Sequence, residues 1–238
     1  MRYVKAFTYF AGKPNTGWKN VLAGALCLLA AGFIPIVPWM VWLGYRSYAA
    51  ADLEEDPDLE YHRDFDLDKF GDYLGRGVWQ FLIQLVVTGT AAMIALAGAG
   101  VGVVVVSQSD PNLIPVVILA GYLLMFVMTG LAMVLMWPLE LYAALTGQFS
   151  VGRAVAFAVR FARLMWGESL ASIVVYFLLT MVANLAGFLL CCLGMLPAGA
   201  IASMAEIHLI LQLYRRYLDK GGEPVRNLEI GHDLADED

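Results

Sequence analysis

Long stretches without a charged side chain alternate with short charged stretches along this chain. No Asp, Glu, Lys or Arg occurs at positions 77–109 or 111–139, and Glu206 is the only such residue at positions 169–214. A helix needs about 20 apolar residues to cross the hydrocarbon core of a bilayer. Because the last stretch is long enough for two helices, the pattern predicts four membrane spans, at Val78–Val106, Leu113–Met136, Ser169–Leu190 and Ala198–Tyr214.

The first apolar stretch, residues 20–45, contains Pro35 and Pro38, which interrupt a helix. We therefore favour a helical hairpin that enters at 20–34 and returns at 38–48. The entering arm would span about 21 Å at 1.5 Å per residue, less than the ~30 Å hydrocarbon core. Such a hairpin would be re-entrant, and other helices would have to cover its turn. A single proline-kinked span with the N-terminus outside is the alternative.

The positive charges favour the hairpin. Lys and Arg occur in four groups, before residue 20 and at 46–76, 153–163 and 215–226, whereas the connections at 107–112 and 191–197 have none. Positive residues collect on the cytoplasmic side of short loops. With a hairpin, all of them share one side, so we expect a protein of the cytoplasmic membrane with both termini in the cytoplasm.

Two charged stretches have the periodicity of amphipathic helices at the membrane surface. The first is Asp66–Gly77, with Asp64 or Asp66 as its cap. In the second, 150–165, three arginines group on one face, which suits anionic lipid headgroups. These are Arg153, Arg160 and Arg163. Alternatively, both helices pack against the bundle and close its cytoplasmic side.

Composition supports a membrane protein. The chain is 60% hydrophobic and 15% charged, with a mean hydropathy of +0.68, whereas soluble domains carry roughly a quarter charged residues. A net charge of −6 argues against nucleic acid as a partner. We therefore expect an all-α, polytopic fold of three helical hairpins plus interfacial helices. It would form one integral membrane domain over 1–220, followed by an acidic, disordered tail over 221–238.

Polar side chains within the predicted spans are the candidate functional residues, because charge is costly to bury in lipid. Glu206 and Asn184 lie at similar depths on either side of a turn, so the amide is expected to hydrogen-bond the carboxyl group. His208 points to another face, where it can meet Gln212 at i+4. The four residues form either a proton or cation relay, or a polar contact that holds helices or subunits together.

Catalytic machinery is not visible in the sequence. The alternating acids at 64–68 resemble the start of a calcium loop, but Lys69 and Gly75 replace the required glycine and glutamate. Both His62 and His232 lie in charged segments that we expect to be exposed. Cys27, Cys191 and Cys192 lack metal-ligand spacing and are interpreted as buried or lipid-facing thiols. We therefore predict no catalytic residue, metal site or cofactor.

Several short motifs occur in a characteristic order between about residues 18 and 217. They are Gly44-Tyr45-Arg46, an acidic proline-containing loop with a short helix from Pro57 to Gly77, Tyr142 with Gly147 and Phe149, Cys192-Leu193-Gly194, and Gln212 to Arg215. In this order the chain resembles an uncharacterised family of bacterial and archaeal multi-pass membrane proteins, domain of unknown function 4013. The resemblance implies a polytopic membrane fold and no particular chemistry.

Two functions follow as expectations from the sequence. The first is a non-enzymatic structural or accessory subunit of a membrane assembly, whose partners are anionic lipids and other proteins or further copies of the chain. The alternative is a small channel or transporter that uses Asn184, Glu206 and His208.

Overall fold

A computed structural model describes residues 3–10, 16–56, 62–109, 113–147, 150–189 and 194–225, and their regular structure consists of seven helices. No strand occurs among these residues, so the all-α prediction is confirmed. The helices are α1 (Tyr3–Tyr9), α2 (Gly17–Ala31), α3 (Val37–Glu55), α4 (Phe70–Ser109), α5 (Ile114–Thr146), α6 (Val151–Leu189) and α7 (Met195–Asp219).

Four of these helices, α4 to α7, are long and apolar enough to cross a membrane. They differ in how much of that apolar length is buried in the protein. Within the most apolar 18-residue window of each helix, the share of buried residues is 67% in α7, 17% in α4, 17% in α6 and 6% in α5. Helix α7 is therefore the central helix, and α4, α5 and α6 present apolar side chains to the outside, as lipid contact requires.

The two amphipathic stretches are not separate helices, contrary to the expectation from periodicity. Residues 70–77 are the first turns of α4 and residues 151–165 are the first turns of α6, and both helices continue into the apolar spans. Gly77 and Gly167 lie at the junctions, and a single glycine costs a helix only about 1 kcal/mol. Asp66 is not the cap of α4 either, since its side chain accepts a hydrogen bond from the backbone N–H of Asp68 in the preceding turn.

The first apolar stretch is broken between Ala31 and Val37, around Pro35, and Pro38 falls in the first turn of α3. The connecting turn is exposed, with 82% of Phe33 accessible, so the expectation that other helices cover it is wrong. The backbone N–H groups of Gly32, Phe33 and Ile34 donate to carbonyls of the last turn of α2. These three donors are therefore satisfied within the turn itself.

Both ends of the α2–α3 pair contact residues 62–66. Asn20, near the start of α2, donates to Asp64 at 3.1 Å and accepts from the backbone N–H of Phe65 at 2.9 Å. Near the end of α3, Asp52 accepts from Arg63 Nε at 2.6 Å. The start of α2 and the end of α3 therefore lie at the same end of the bundle.

Helices α3 and α4 cross with their backbones in contact. A Cβ atom added to Gly77 would lie 1.7 Å from the carbonyl oxygen of Met40, and one added to Gly44 would lie 1.8 Å from the carbonyl oxygen of Tyr73. Small residues are typical of close helix contacts in membranes. This crossing brings α3 against both α4 and the central helix α7.

The chain after α7 packs back on the bundle as far as the structure describes it. Gly221 adopts a left-handed φ of 84°, and the N–H of Val225 donates to the hydroxyl of Tyr214 at 2.7 Å. Residues 221–225 therefore differ from the predicted disordered tail, while the rest of that tail lies outside the described residues. Cys27 is a partly buried free thiol, and Cys191 and Cys192 also lie outside the described residues.

Candidate functional site

Three helices that pack on one another each bring one charged side chain to a common point inside the bundle. Helix α3 contributes Arg46, α5 contributes Glu140 and α7 contributes Glu206. Their exposed fractions are 1%, 0% and 7%. We call these three residues the buried charge cluster.

Both carboxylate oxygens of Glu206 accept a hydrogen bond from a neighbouring helix. Arg46 Nη2 of α3 donates to Oε2 at 3.0 Å, and Trp137 Nε1 of α5 donates to Oε1 at 2.9 Å. The indole of Trp137 is almost fully buried, so neither bond competes with bulk water. Glu206 therefore joins α3, α5 and α7.

Glu140 is held by a chain of donors that extends the cluster to α4. Gln84 Nε2 donates to Glu140 Oε1 at 2.7 Å, and Trp39 Nε1 of α3 donates to Gln84 Oε1 at 2.8 Å. The other oxygen, Oε2, lies 3.7 Å from Arg46 Nη2 and makes no hydrogen bond. Glu140 thus interacts with Arg46 by charge, at a longer distance than Glu206.

The charges of the cluster do not balance, because one guanidinium faces two carboxyl groups. Burying charges without water costs several kcal/mol per ion, and a partner recovers this only with good geometry. Glu206 has that geometry, whereas Glu140 shares Arg46 at 3.7 Å. Chemically, the arrangement can hold helices in register, and it can also bind a proton or a small cation.

The predicted contact between Asn184 and Glu206 is wrong. The amide of Asn184 donates to the backbone carbonyl of Thr180 on its own helix at 2.9 Å. Tyr176, which packs on Trp137 at a centroid distance of 6.0 Å, marks the level of the cluster on α6. Asn184 lies eight residues further along, about 12 Å away at 1.5 Å per residue.

His208 and Gln212 lie on α7 beyond Glu206 and are not part of the cluster's hydrogen bonds described above. His208 interacts electrostatically with Lys5 of α1 and with Arg215, on a different face from Glu206, as the sequence predicted. Both residues are partly buried. The structure therefore separates Glu206 from the other three polar candidates.

His62 is buried rather than exposed, which corrects the expectation from its charged surroundings. Its side chain is 3% accessible and packs on Phe10, with ring centroids 6.2 Å apart. Burial, followed by the nearby His208, lowers the pKa of His62 to about 3. His62 is therefore neutral at physiological pH, and His232 lies outside the described residues.

The three arginines of α6 are exposed, but they do not share one environment. Arg153 and Arg160 line a cavity of about 650 Å³ whose walls include Tyr142, Phe157 and Tyr217. Arg160 also pairs with Glu223 of the segment after α7. Arg163 is not among the residues that line this cavity.

Sequence reasoning found Glu206 but missed its partners. Arg46 and Glu140 lie at the ends of charge-free stretches, so the sequence does not single them out as buried residues. One signal could have identified them: α3, α5 and α7 each carry a charged residue more than one turn from either helix end, and these charges include both signs. Opposite charges at corresponding positions of packed helices indicate an ion pair.

Comparisons of the chain with protein families, curated proteins and solved structures found no match. The resemblance to domain of unknown function 4013 therefore stays a prediction. What can be said about function depends on the geometry of the chain itself.

Proposed function

We propose that this protein is a non-enzymatic structural or accessory subunit of a membrane assembly. One observation carries the proposal: Glu206, the acidic residue inside the predicted spans, joins helices. Its carboxylate accepts bonds from α3 and α5, and the cluster extends through Gln84 to α4. Lipid provides no hydrophobic force between helices, so interhelical hydrogen bonds and close packing hold such a bundle together.

The outer helices support the same proposal. In the most apolar window of α5, 6% of the residues are buried, so this part of the helix is available to lipid or to neighbouring subunits. The residues of the cluster, by contrast, are at most 7% exposed. A protein with a fixed polar interior and a broad apolar exterior is suited to assembly within the membrane rather than to chemistry on a soluble substrate.

The experiment that tests this function is purification at native expression level in mild detergent, followed by native mass spectrometry. We expect a complex in which a second protein, or further copies of the chain, occurs at a fixed stoichiometry. Liposomes that contain this protein alone should conduct protons no faster than empty liposomes. A chain that purifies alone and conducts protons would contradict the proposal.

Transport is the second candidate, and the imbalance of two carboxyl groups against Arg46 favours it. Intramembrane carboxyl groups that lack a full partner are typical of proton pathways. In that case, flux in liposomes should fall on Glu206→Gln and persist in the matched variant Glu168→Gln, whose carboxylate is paired at the surface with Lys220. Flux that is equal in both variants would eliminate Glu206 from the pathway.

We further propose that both termini are cytoplasmic and that α2 and α3 form a re-entrant hairpin in the cytoplasmic membrane. The contacts of Asn20 and Asp52 with residues 62–66 support a chain that enters and leaves on one side. The exposed Phe33 at the turn suits contact with lipid. Arg153, Arg160 and Arg163, at the charged end of α6, are the proposed contacts with anionic headgroups.

Cysteine labelling tests this topology. In a chain without native cysteines, an impermeant maleimide added to intact cells should label Asp110→Cys and leave Asn15→Cys unlabelled until the membrane is opened. Labelling of both in intact cells would indicate a single kinked span. Labelling of Asn15→Cys alone would indicate the opposite orientation.

A further inference from the structure

The buried charge cluster contains one basic and two acidic side chains, so its charges do not cancel when all three are ionised. We infer that it is a proton-binding site, in which Glu140 is a neutral carboxylic acid and Glu206 is the carboxylate that pairs with Arg46. The inference concerns this site alone and does not depend on whether the protein is a subunit or a transporter.

Glu206 has the surroundings of a charged group. Its two oxygens accept from Arg46 Nη2 at 3.0 Å and from Trp137 Nε1 at 2.9 Å. Hydrogen bonds with an ionised partner are the strong ones, and each stabilises the carboxylate over the acid. A proton on Glu206 would weaken both of these bonds, so the geometry favours the carboxylate form of this residue.

Glu140 has the surroundings of a neutral acid. Oε1 accepts from Gln84 Nε2 at 2.7 Å, as a carbonyl oxygen does. Oε2 has no hydrogen-bond donor and is 3.7 Å from the guanidinium, which leaves room for a proton. If Glu140 were also ionised, two buried carboxylates would share the single positive charge of Arg46. When two carboxyl groups share one site in this way, one of them keeps its proton.

The four helices that pack against α5 contribute the other groups in this charge balance. Helix α3 contributes Arg46, α4 contributes the neutral Gln84 and α7 contributes Glu206. Helix α6 contributes Tyr176, whose phenol interacts with Arg46. With Glu140 protonated, the cluster is neutral; loss of that proton breaks the O–H bond and leaves one uncompensated negative charge where three helices meet.

Infrared difference spectroscopy of the full chain in lipid nanodiscs at pH 7 tests this inference. A protonated carboxyl group has a C=O band that shifts on exchange into D₂O, and carboxylates lack this band. We expect about one such group per chain in the native protein. The band should disappear in Glu140→Gln, and also in Glu206→Gln, where Glu140 becomes the only carboxylate available to Arg46. Glu168→Gln, which changes a surface carboxylate, should retain it.

Two further variants assign the proton to one of the two residues. Gln84→Leu removes the hydrogen bond to the Glu140 carbonyl and should move the band to higher frequency. Trp137→Phe removes a hydrogen bond of Glu206 and should leave the frequency unchanged. A shift in Trp137→Phe instead of Gln84→Leu would place the proton on Glu206 and overturn the assignment.

The native protein alone can refute the inference, even where a variant fails to fold. Absence of an exchangeable acid band at pH 7 would show that both carboxyl groups are ionised. A band that survives in folded Glu140→Gln would show that the acid lies elsewhere. Neither result would bear on the proposal that the protein is an accessory subunit, which depends on partners and on flux.

Discussion

Replacing Arg46 with methionine is expected to lower the free energy of unfolding by about 3–5 kcal/mol, the range found when one partner of a buried ion pair is removed. Methionine fills a similar volume, so packing changes little. What changes is that Glu206 loses the donor at 3.0 Å and Glu140 loses the guanidinium at 3.7 Å. Reversible unfolding in mixed micelles measures the effect.

Arg163→Met is the matched control for this prediction. It removes the same charge from an exposed position on α6, where surface substitutions change stability by about 0.5 kcal/mol or less. Adding Glu140→Gln and Glu206→Gln to Arg46→Met should restore much of the loss, because amides of the same shape need no counter-charge. If Arg46→Met and Arg163→Met cost the same, the cluster does not hold the helices together.

Replacing Gly77 with alanine is expected to cost about 3 kcal/mol, at the upper end of the range for overpacked sites. The new Cβ would lie 1.7 Å from the carbonyl oxygen of Met40, so α3 and α4 would have to move apart. Backbone atoms cannot relieve this contact by changing rotamer. Because α3 carries Arg46 into the cluster, the separation should also weaken the pair with Glu206.

Gly75→Ala, two residues away on the same helix, should have the opposite sign. No atom lies within 4 Å of a Cβ at this position, and alanine is a better helix former than glycine by about 1 kcal/mol. Thermal unfolding of both variants in one lipid mixture compares them directly. Equal effects of the two substitutions would show that α3 and α4 are not in backbone contact.

The helical class of this protein is evident from its sequence because the bilayer imposes a strong constraint. Stretches such as 77–109 and 111–139 have no charged residue, and in lipid such stretches satisfy their backbone groups by forming helices. The break near Pro35 follows from proline chemistry in the same way. These features depend on local sequence alone, and the structure has helices α4 and α5 in the two stretches and an interruption around Pro35.

The sequence predicts one residue of the candidate site, Glu206, but not the residues that pair with it. Glu206 stands out because it is a lone acid in an apolar stretch, but its partners are 160 and 66 positions away in the chain, at Arg46 and Glu140. The sequence suggested Asn184 instead, since equal distance from a turn was the only available measure of depth. Which faces of two helices meet depends on packing and rotation, and neither is encoded in distance from a turn.

The sequence by itself determined that this chain forms apolar helices, where they break and that acidic Glu206 lies among them, because these properties depend on hydropathy and backbone chemistry. Only the tertiary structure decided that Arg46, Glu140 and Glu206 meet, that His62 is buried and that Gly77 touches Met40. Such contacts join residues far apart in the chain, so they arise from how whole helices pack.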